Sequence, residues 1–283
     1  MKGLHQRDPH AFARFKKYPD GTIELLVCTK PIFIAEGWEN ERPKSPKNGT
    51  HTANGGDVMR AVRRARARVR DLAMCTKFRY FVTLTLDEKK VDRYDIEGLT
   101  PKLMNWLDNR VRRKGLAYVL VPELHKDGAV HFHGFFNDAL PAVDSGTVIP
   151  PWGGRPRRPE SAAEGRRWLA DGGHTVYNLP DWDYGFTTAI ELYGEYSKAI
   201  SYVCKYIGKD LEHGKIGGRW YYSGGCLARP ETWVSDMWDY HTAWDALMGA
   251  PGVSYYGYEV PEIGAAFRRF TWRGDEETIL SDV

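Results

Sequence analysis

From residue 57 onward the chain switches repeatedly between two hydrophobic periods. "RYFVTLTL" (79–86) is a β-rich run, "LAYVLVPEL" (116–124) and "AVHFHGFF" (129–136) read as strands, and "GFTTAIEL" (185–192) returns to strand. Helical spacing separates them. In "DVMRAVRRARARVRDLAM" (57–74), Val58, Val62, Ala65, Val69 and Leu72 recur on one face, with Asp57 placed as the N-cap. "LTPKLMNWLDNRVRRKG" (99–115) ends on Gly115, suited to a left-handed C-cap. "GEYSKAISYVCKYIGKDL" (194–211) is a third helix. Before them, "ARFKKYPDGTIELLV" reads as a hairpin turning at Pro19-Asp20-Gly21. Residues 137–175, rich in Gly, Pro and Arg, predict a long loop with one short helix near 160–170; such a loop is usually functional or disordered. The order β–α–β–β–(insertion)–β–α predicts an α+β fold, a central antiparallel β-sheet with helices packed on one face.

Three segments follow from this pattern: a hairpin and polar Pro/Gly linker at 1–56, a domain at 57–230 that carries the insertion, and an extension at 231–283. With 283 residues, 42% of them hydrophobic, the chain can bury one sizeable core or one domain with additions. No apolar run is long enough to span a bilayer, and "MKGLHQRDPHAFARFKKYPDG" lacks the apolar stretch of a signal peptide. The four cysteines are scattered with no C-x-x-C pair, which predicts reduced thiols in a cytoplasmic protein.

Charge adds an asymmetry that the net +3 conceals. Residues 228–283 carry four Lys/Arg against ten Asp/Glu, a net of −6, which leaves +9 on residues 1–227. A basic body with an acidic tail suits a polyanionic partner. Arg60, Arg63, Arg64, Arg66, Arg68 and Arg70 crowd the first helix. That helix is either a solvated amphipathic surface or, through Arg60, Arg64 and Arg68, a contact to phosphates.

The candidate chemistry starts at "HKDGAVHFHGFF" (125–136). Two residues apart on a strand, His131 and His133 point to the same face. A three-residue loop, Lys126-Asp127-Gly128, pairs Glu123 with His131 and Val121 with His133, with Gly128 in the left-handed position. A two-residue turn would instead face the acid away. The first register is favoured because it groups Phe132 and Leu124 on the apolar face. Glu123, His131 and His133 then converge, with His125 one step nearer the turn as a fourth ligand or a DNA contact. Two imidazoles and a carboxylate suit Mg²⁺ or Mn²⁺ holding a phosphate oxygen.

The second constellation is "YSKAISYVCKYIGK" (196–209). Tyr196, Ala199, Ile200, Val203 and Ile207 share one stripe, while Lys198, Tyr202, Lys205, Tyr206 and Lys209 share the opposite face. One reading is an amphipathic helix whose tyrosines cover core and reach water. The other makes a tyrosine the nucleophile and the lysines phosphate contacts. "FVTLTL", "PELHKDGAVHFHGFF" and "YVCKYIGK" occur in the order seen in HUH endonucleases, and the chain resembles the rolling-circle replication initiators of bacterial plasmids and phages over about residues 76–230. His131-Phe132-His133 matches the HUH signature, Glu123 the acidic third ligand, Tyr202 and Lys205 the Y-x-x-K pattern, and Tyr206 the second tyrosine of two-tyrosine members. "GRWYYSGGCLARP" (218–230) resembles the strand that follows their tyrosine helix. The insertion at 137–175 departs from the pattern.

The resemblance implies an HUH nuclease fold with an RRM-like core and a metal-dependent nick in single-stranded origin DNA. Tyr202 would carry the 5′ phosphate, and Lys198 and Lys209 would contact DNA. No G-x-x-x-x-G-K-[ST] occurs in the sequence, so a host helicase is the expected partner. A transposase or relaxase of the same superfamily is the near alternative. Relaxases usually set their tyrosine before the histidines, and insertion-sequence transposases are usually much shorter. A non-nicking origin-binding protein is the alternative from another class.

Overall fold

The computed structural model describes residues 10–30, 33–34, 55–192, 196–209, 215–235, 238–261 and 264–274. In chain order the strands are β1 (His10–Ala11), β2 (Ala13–Lys17), β3 (Thr22–Cys28), β4 (Phe33–Ile34), β5 (Tyr80–Leu86), β6 (Tyr118–Leu124) and β7 (Val130–Phe136). They continue as β8 (Val143–Ile149), β9 (His174–Asn178), β10 (Gly185–Glu191), β11 (Tyr222–Gly224), β12 (Glu231–Ser235), β13 (Ser254–Val260) and β14 (Ala265–Arg273). The helices are α1 (Gly55–Cys75), α2 (Ile96–Lys114), α3 (Ala162–Ala170), α4 (Tyr196–Tyr206) and α5 (Tyr240–Leu247). The fold is α+β, built on two large antiparallel sheets, and the chain divides into two compact units.

One unit comprises residues 1–57 and 229–283. The expected hairpin forms, with β2 antiparallel to β3, Gly21 at φ 79° and the Asp20 carboxylate accepting from the Thr22 amide at 3.0 Å. It lies inside a five-stranded sheet ordered β12-β2-β3-β14-β13. The segment read from its acidity as a C-terminal extension thus supplies three strands to the N-terminal hairpin's own sheet. Phe15, Ile23, Leu25 and Val27 meet Phe270, Trp272 and the Ala243 and Leu247 side of α5 in its core. Most of the polar linker before α1 lies outside the described residues.

The other unit, residues 58–228, holds the seven-stranded sheet β11-β6-β7-β5-β10-β9-β8. Strict alternation in β5, buried at Tyr80, Val82, Leu84 and Leu86, gives the sheet two different faces. On one face these residues, with Leu120, Phe132 and Phe136, pack against Leu99, Leu103, Trp106 and Leu107 of α2. On the other, Val119, Val121 and Phe135 pack against Val62, Val69 and Leu72 of α1 and Ile200, Val203 and Ile207 of α4. Helices therefore cover both faces, not one. A sheet that is apolar on both sides needs a layer on each to exclude water.

Boundaries differ where capping decides them. α1 begins at Gly55, so Asp57 sits in its first turn and not at its cap. α2 begins at Ile96, where the Asp95 carboxylate accepts from the Gly98 amide, and ends at Gly115 with φ 72° as expected. The insertion is not a loop. It contains β8, α3 and β9, and these two strands extend the sheet from β10. Its helix falls within 160–170 as expected, capped by Ser161 accepting from the Glu164 amide.

Candidate active site

The β6–β7 turn sets the register of the site. His125 and Ala129 close it through a 2.8 Å backbone hydrogen bond, and Gly128 takes φ 86°. Glu123 pairs with His131 and Val121 with His133, the register expected from the three-residue loop. The row continues across the sheet, because Thr85 faces His131 and Thr83 faces His133 from β5. Thr83 Oγ1 lies 3.1 Å from His133 Nδ1, and Thr85 Oγ1 lies 3.4 Å from His131 Nδ1. Each threonine thus engages Nδ1 and leaves Nε2 for other work.

His133 Nε2 uses that freedom on Glu123, whose Oε2 is 2.8 Å away. Glu123 also accepts from Lys209 Nζ through Oε1. The His131 ring stacks on exposed His125, with centroids 4.8 Å apart. Burial first, then the nearby His125 and His133, hold the His131 imidazole below its usual 6.5. Burial also lowers His133, with Lys209 and His125 adding to it and Glu123 opposing. Both rings are therefore biased toward the neutral, ligating form.

α4 crosses this face and brings the tyrosines to it. Besides its apolar stripe, it is tied to α1 at both ends. Tyr196 Oη donates to the Ala73 carbonyl at 2.9 Å, and Arg66 Nε donates to the Ile207 carbonyl at 3.0 Å. Tyr206 stacks on His133, with centroids 4.4 Å apart and planes 13° apart. Its hydroxyl donates to Tyr202 Oη. Burial, that hydrogen bond, and the Tyr202 and Glu123 charges all push the Tyr206 phenol up, so it keeps its proton. Tyr202 is 48% exposed and sets its ring edge toward Phe81, 5.8 Å between centroids.

Lys209 does not extend the helical face as expected. α4 ends at Tyr206, and Gly208, at φ 72°, turns the chain so that Lys209 comes back to Glu123 and over the Tyr206 ring. Lys205 is exposed one turn from Tyr202. Lys198 lines a cleft of about 370 Å³ with Tyr202, Phe81, His174 and Ile190, a volume within the usual range for ligand sites. Arg60 and Arg64 are exposed on the side of α1 away from Val62 and Val69, and Arg68 is half-buried beside them. They are not gathered with the tyrosines. The flank nearer α4 belongs to Arg66, a contact that helical projection of α1 alone could not assign without knowing where α4 packs.

Glu123, His131 and His133 do share one face. The carboxylate and one imidazole touch, while the second imidazole turns toward His125. Among the described residues no three His, Cys, Asp or Glu side chains are gathered as a metal site. The donor chemistry nevertheless fits a hard divalent ion: two imidazoles biased neutral and a carboxylate on adjacent strands.

What these elements define is an antiparallel sheet whose helix-covered face gathers a carboxylate, histidines, a lysine and two coupled tyrosines. Residues 79–211, from the threshold of β5 to just beyond α4, match the family described as Replication-associated protein ORF2. That span holds every one of these groups and supports a replication initiator as the type of protein to which this chain is similar. No curated protein and no solved structure matches it. Among the described residues no helix is long and apolar enough to cross a membrane.

Proposed function

We propose that the chain initiates rolling-circle replication by nicking single-stranded origin DNA through a tyrosine and later rejoining it. The observation that carries this reading is the contact series Glu123–His133–Tyr206–Tyr202, which sets a nucleophile beside a carboxylate–imidazole pair. Tyr202 Oη attacks the scissile phosphorus, the bond from phosphorus to the 3′ oxygen breaks, and that oxygen leaves with a proton as a 3′ hydroxyl. The 5′ phosphate stays on Tyr202, which conserves the bond energy for rejoining. Tyr206, which keeps its proton, donates to the Tyr202 oxygen and fixes its position as the Tyr202 proton departs. Lys198 and Lys205, exposed near Tyr202, contact the phosphates that flank it. A divalent cation, Mg²⁺ or Mn²⁺, would be held by Glu123, His131 and His133 and would polarise a phosphate oxygen. A host helicase would open the duplex.

The test is cleavage of a single-stranded origin oligonucleotide, titrated with Mg²⁺ and with Mn²⁺. His131→Ala and His133→Ala should abolish cleavage with the fold retained, and Glu123→Ala should lower activity or metal affinity by roughly 10- to 100-fold. Full activity in excess chelator would remove the metal. Sequence-specific binding without any cleavage would leave an origin-binding protein.

A further inference from the structure

Phe186 is a large apolar side chain left 66% exposed on β10. Its neighbours Thr187 and Ala189 point to the opposite, α2-covered face and are buried, so Phe186 projects from the same face as the histidines. It pairs with Thr85, which pairs with His131, which pairs with Glu123. These four residues therefore form one row across four adjacent strands. At about 4.8 Å per strand, Phe186 lies roughly 10 Å from His131. Thr188 faces Thr83 in the parallel row, so a floor of Thr83, Thr85 and Thr188 separates Phe186 from the site. β9 pairs with β10 only at Ala189 and Ile190, which leaves the Phe186 end of the strand as an edge.

We propose that Phe186 is a stacking platform for one nucleobase of single-stranded DNA, placing the adjoining phosphate over the threonine floor beside Tyr202. The inference rests on the reading that this face receives a single strand. An aromatic ring held by a sheet offers a π-face to any base, and the threonine hydroxyls between it and the histidines are donors for phosphate oxygens. Its row ends at Glu123, which Lys209 joins, so the platform is continuous with the site. A core role is excluded by its exposure.

The probe is a fluorescently labelled oligothymidine strand, with binding followed by anisotropy. Phe186→Ala should weaken binding by about 5- to 150-fold, the range for loss of one base–aromatic stack. Phe186→Tyr should bind within about twofold of wild type, whereas Phe186→Leu, which keeps apolar area without a π-face, should lose nearly as much as alanine. Thermal melting should be the same for all three. Phe186→Ala binding within twofold of wild type overturns the inference, as does full rescue by leucine. If wild type nicks origin DNA and Phe186→Ala binds normally, this inference alone fails. If wild type binds the strand but never nicks it, with the Phe186 series as expected, the nuclease reading alone fails; a wild type that binds no single strand ends both.

Discussion

Replacing each tyrosine of α4 with phenylalanine separates nucleophile from helper, because the two hydroxyls are bonded but differently placed. Tyr202 is 48% exposed and borders the cleft, whereas the Tyr206 ring is fixed flat against His133 and its phenol holds its proton. Tyr202→Phe removes the attacking oxygen and nothing else, so the covalent adduct should vanish while the helix stays folded. Tyr206→Phe removes one neutral hydrogen bond to the Tyr202 oxygen. Such a bond contributes about 0.5–1.5 kcal/mol, which predicts a fall in first-strand nicking of about 2- to 13-fold. Strand rejoining is a separate readout, since a second tyrosine one turn away can reach the same phosphate. The assay uses oligonucleotides labelled on either side of the nick, resolved under denaturing conditions. The label on the 3′ side should travel with the protein, and peptide mapping should locate it on Tyr202. A normal adduct yield from Tyr202→Phe with none from Tyr206→Phe would reverse the assignment. No adduct from wild type would end the tyrosine mechanism.

Three further outcomes are expected. Burial holds His131 and His133 below the usual imidazole value, so both are neutral above 6.5; nicking should be level at neutral pH and fall as pH drops through values below 6.5, and a midpoint above 6.5 would contradict it. Replacing Arg60, Arg64 and Arg68 together with alanine should flatten the salt dependence of single-strand binding without moving the cleavage site; an unchanged slope would make that side of α1 a solvated surface only. Gly134→Ala would set a Cβ 1.9 Å from the Val119 carbonyl oxygen, forcing β7 from β6, so urea unfolding should show a loss of about 1–3 kcal/mol or more, and no loss would mean the strands part freely.

How far the sequence carries depends on whether an element's period also names its partner. For β6 and β7 it does: Gly128 fixes the turn, the turn fixes the register, and one register alone puts Phe132 with Leu124, so Glu123 is aligned with His131 from sequence alone. For β5 and β10 the period is legible but the partner layer is not. β10 offers Phe186-Thr188-Ile190 on one face and Gly185-Thr187-Ala189 on the other, and hydrophobicity favours burying the first. The structure buries Thr187 and Ala189, because α2 closes that face, and leaves Phe186 exposed on the other. The same gap explains the misplaced helix layer, since "LAYVLVPEL" is apolar at both phases and its two faces demand two covers. It also explains the 231–273 strands, whose acidity was legible while their pairing to β2 and β3, more than 200 residues away, left no local mark. Lys209 is the reverse case. Helical projection puts it beside Tyr202 and Lys205 as a DNA contact, yet Gly208 ends the helix and delivers it to Glu123 instead. A cation on Glu123 and a proton kept on Tyr206 bracket His133 from both sides, so the more buried imidazole of the site is the one whose surroundings least depend on solvent. The other end of the face carries exposed His125 and Phe186 on either side of His131, and on the nicking reading that is where a strand of DNA enters.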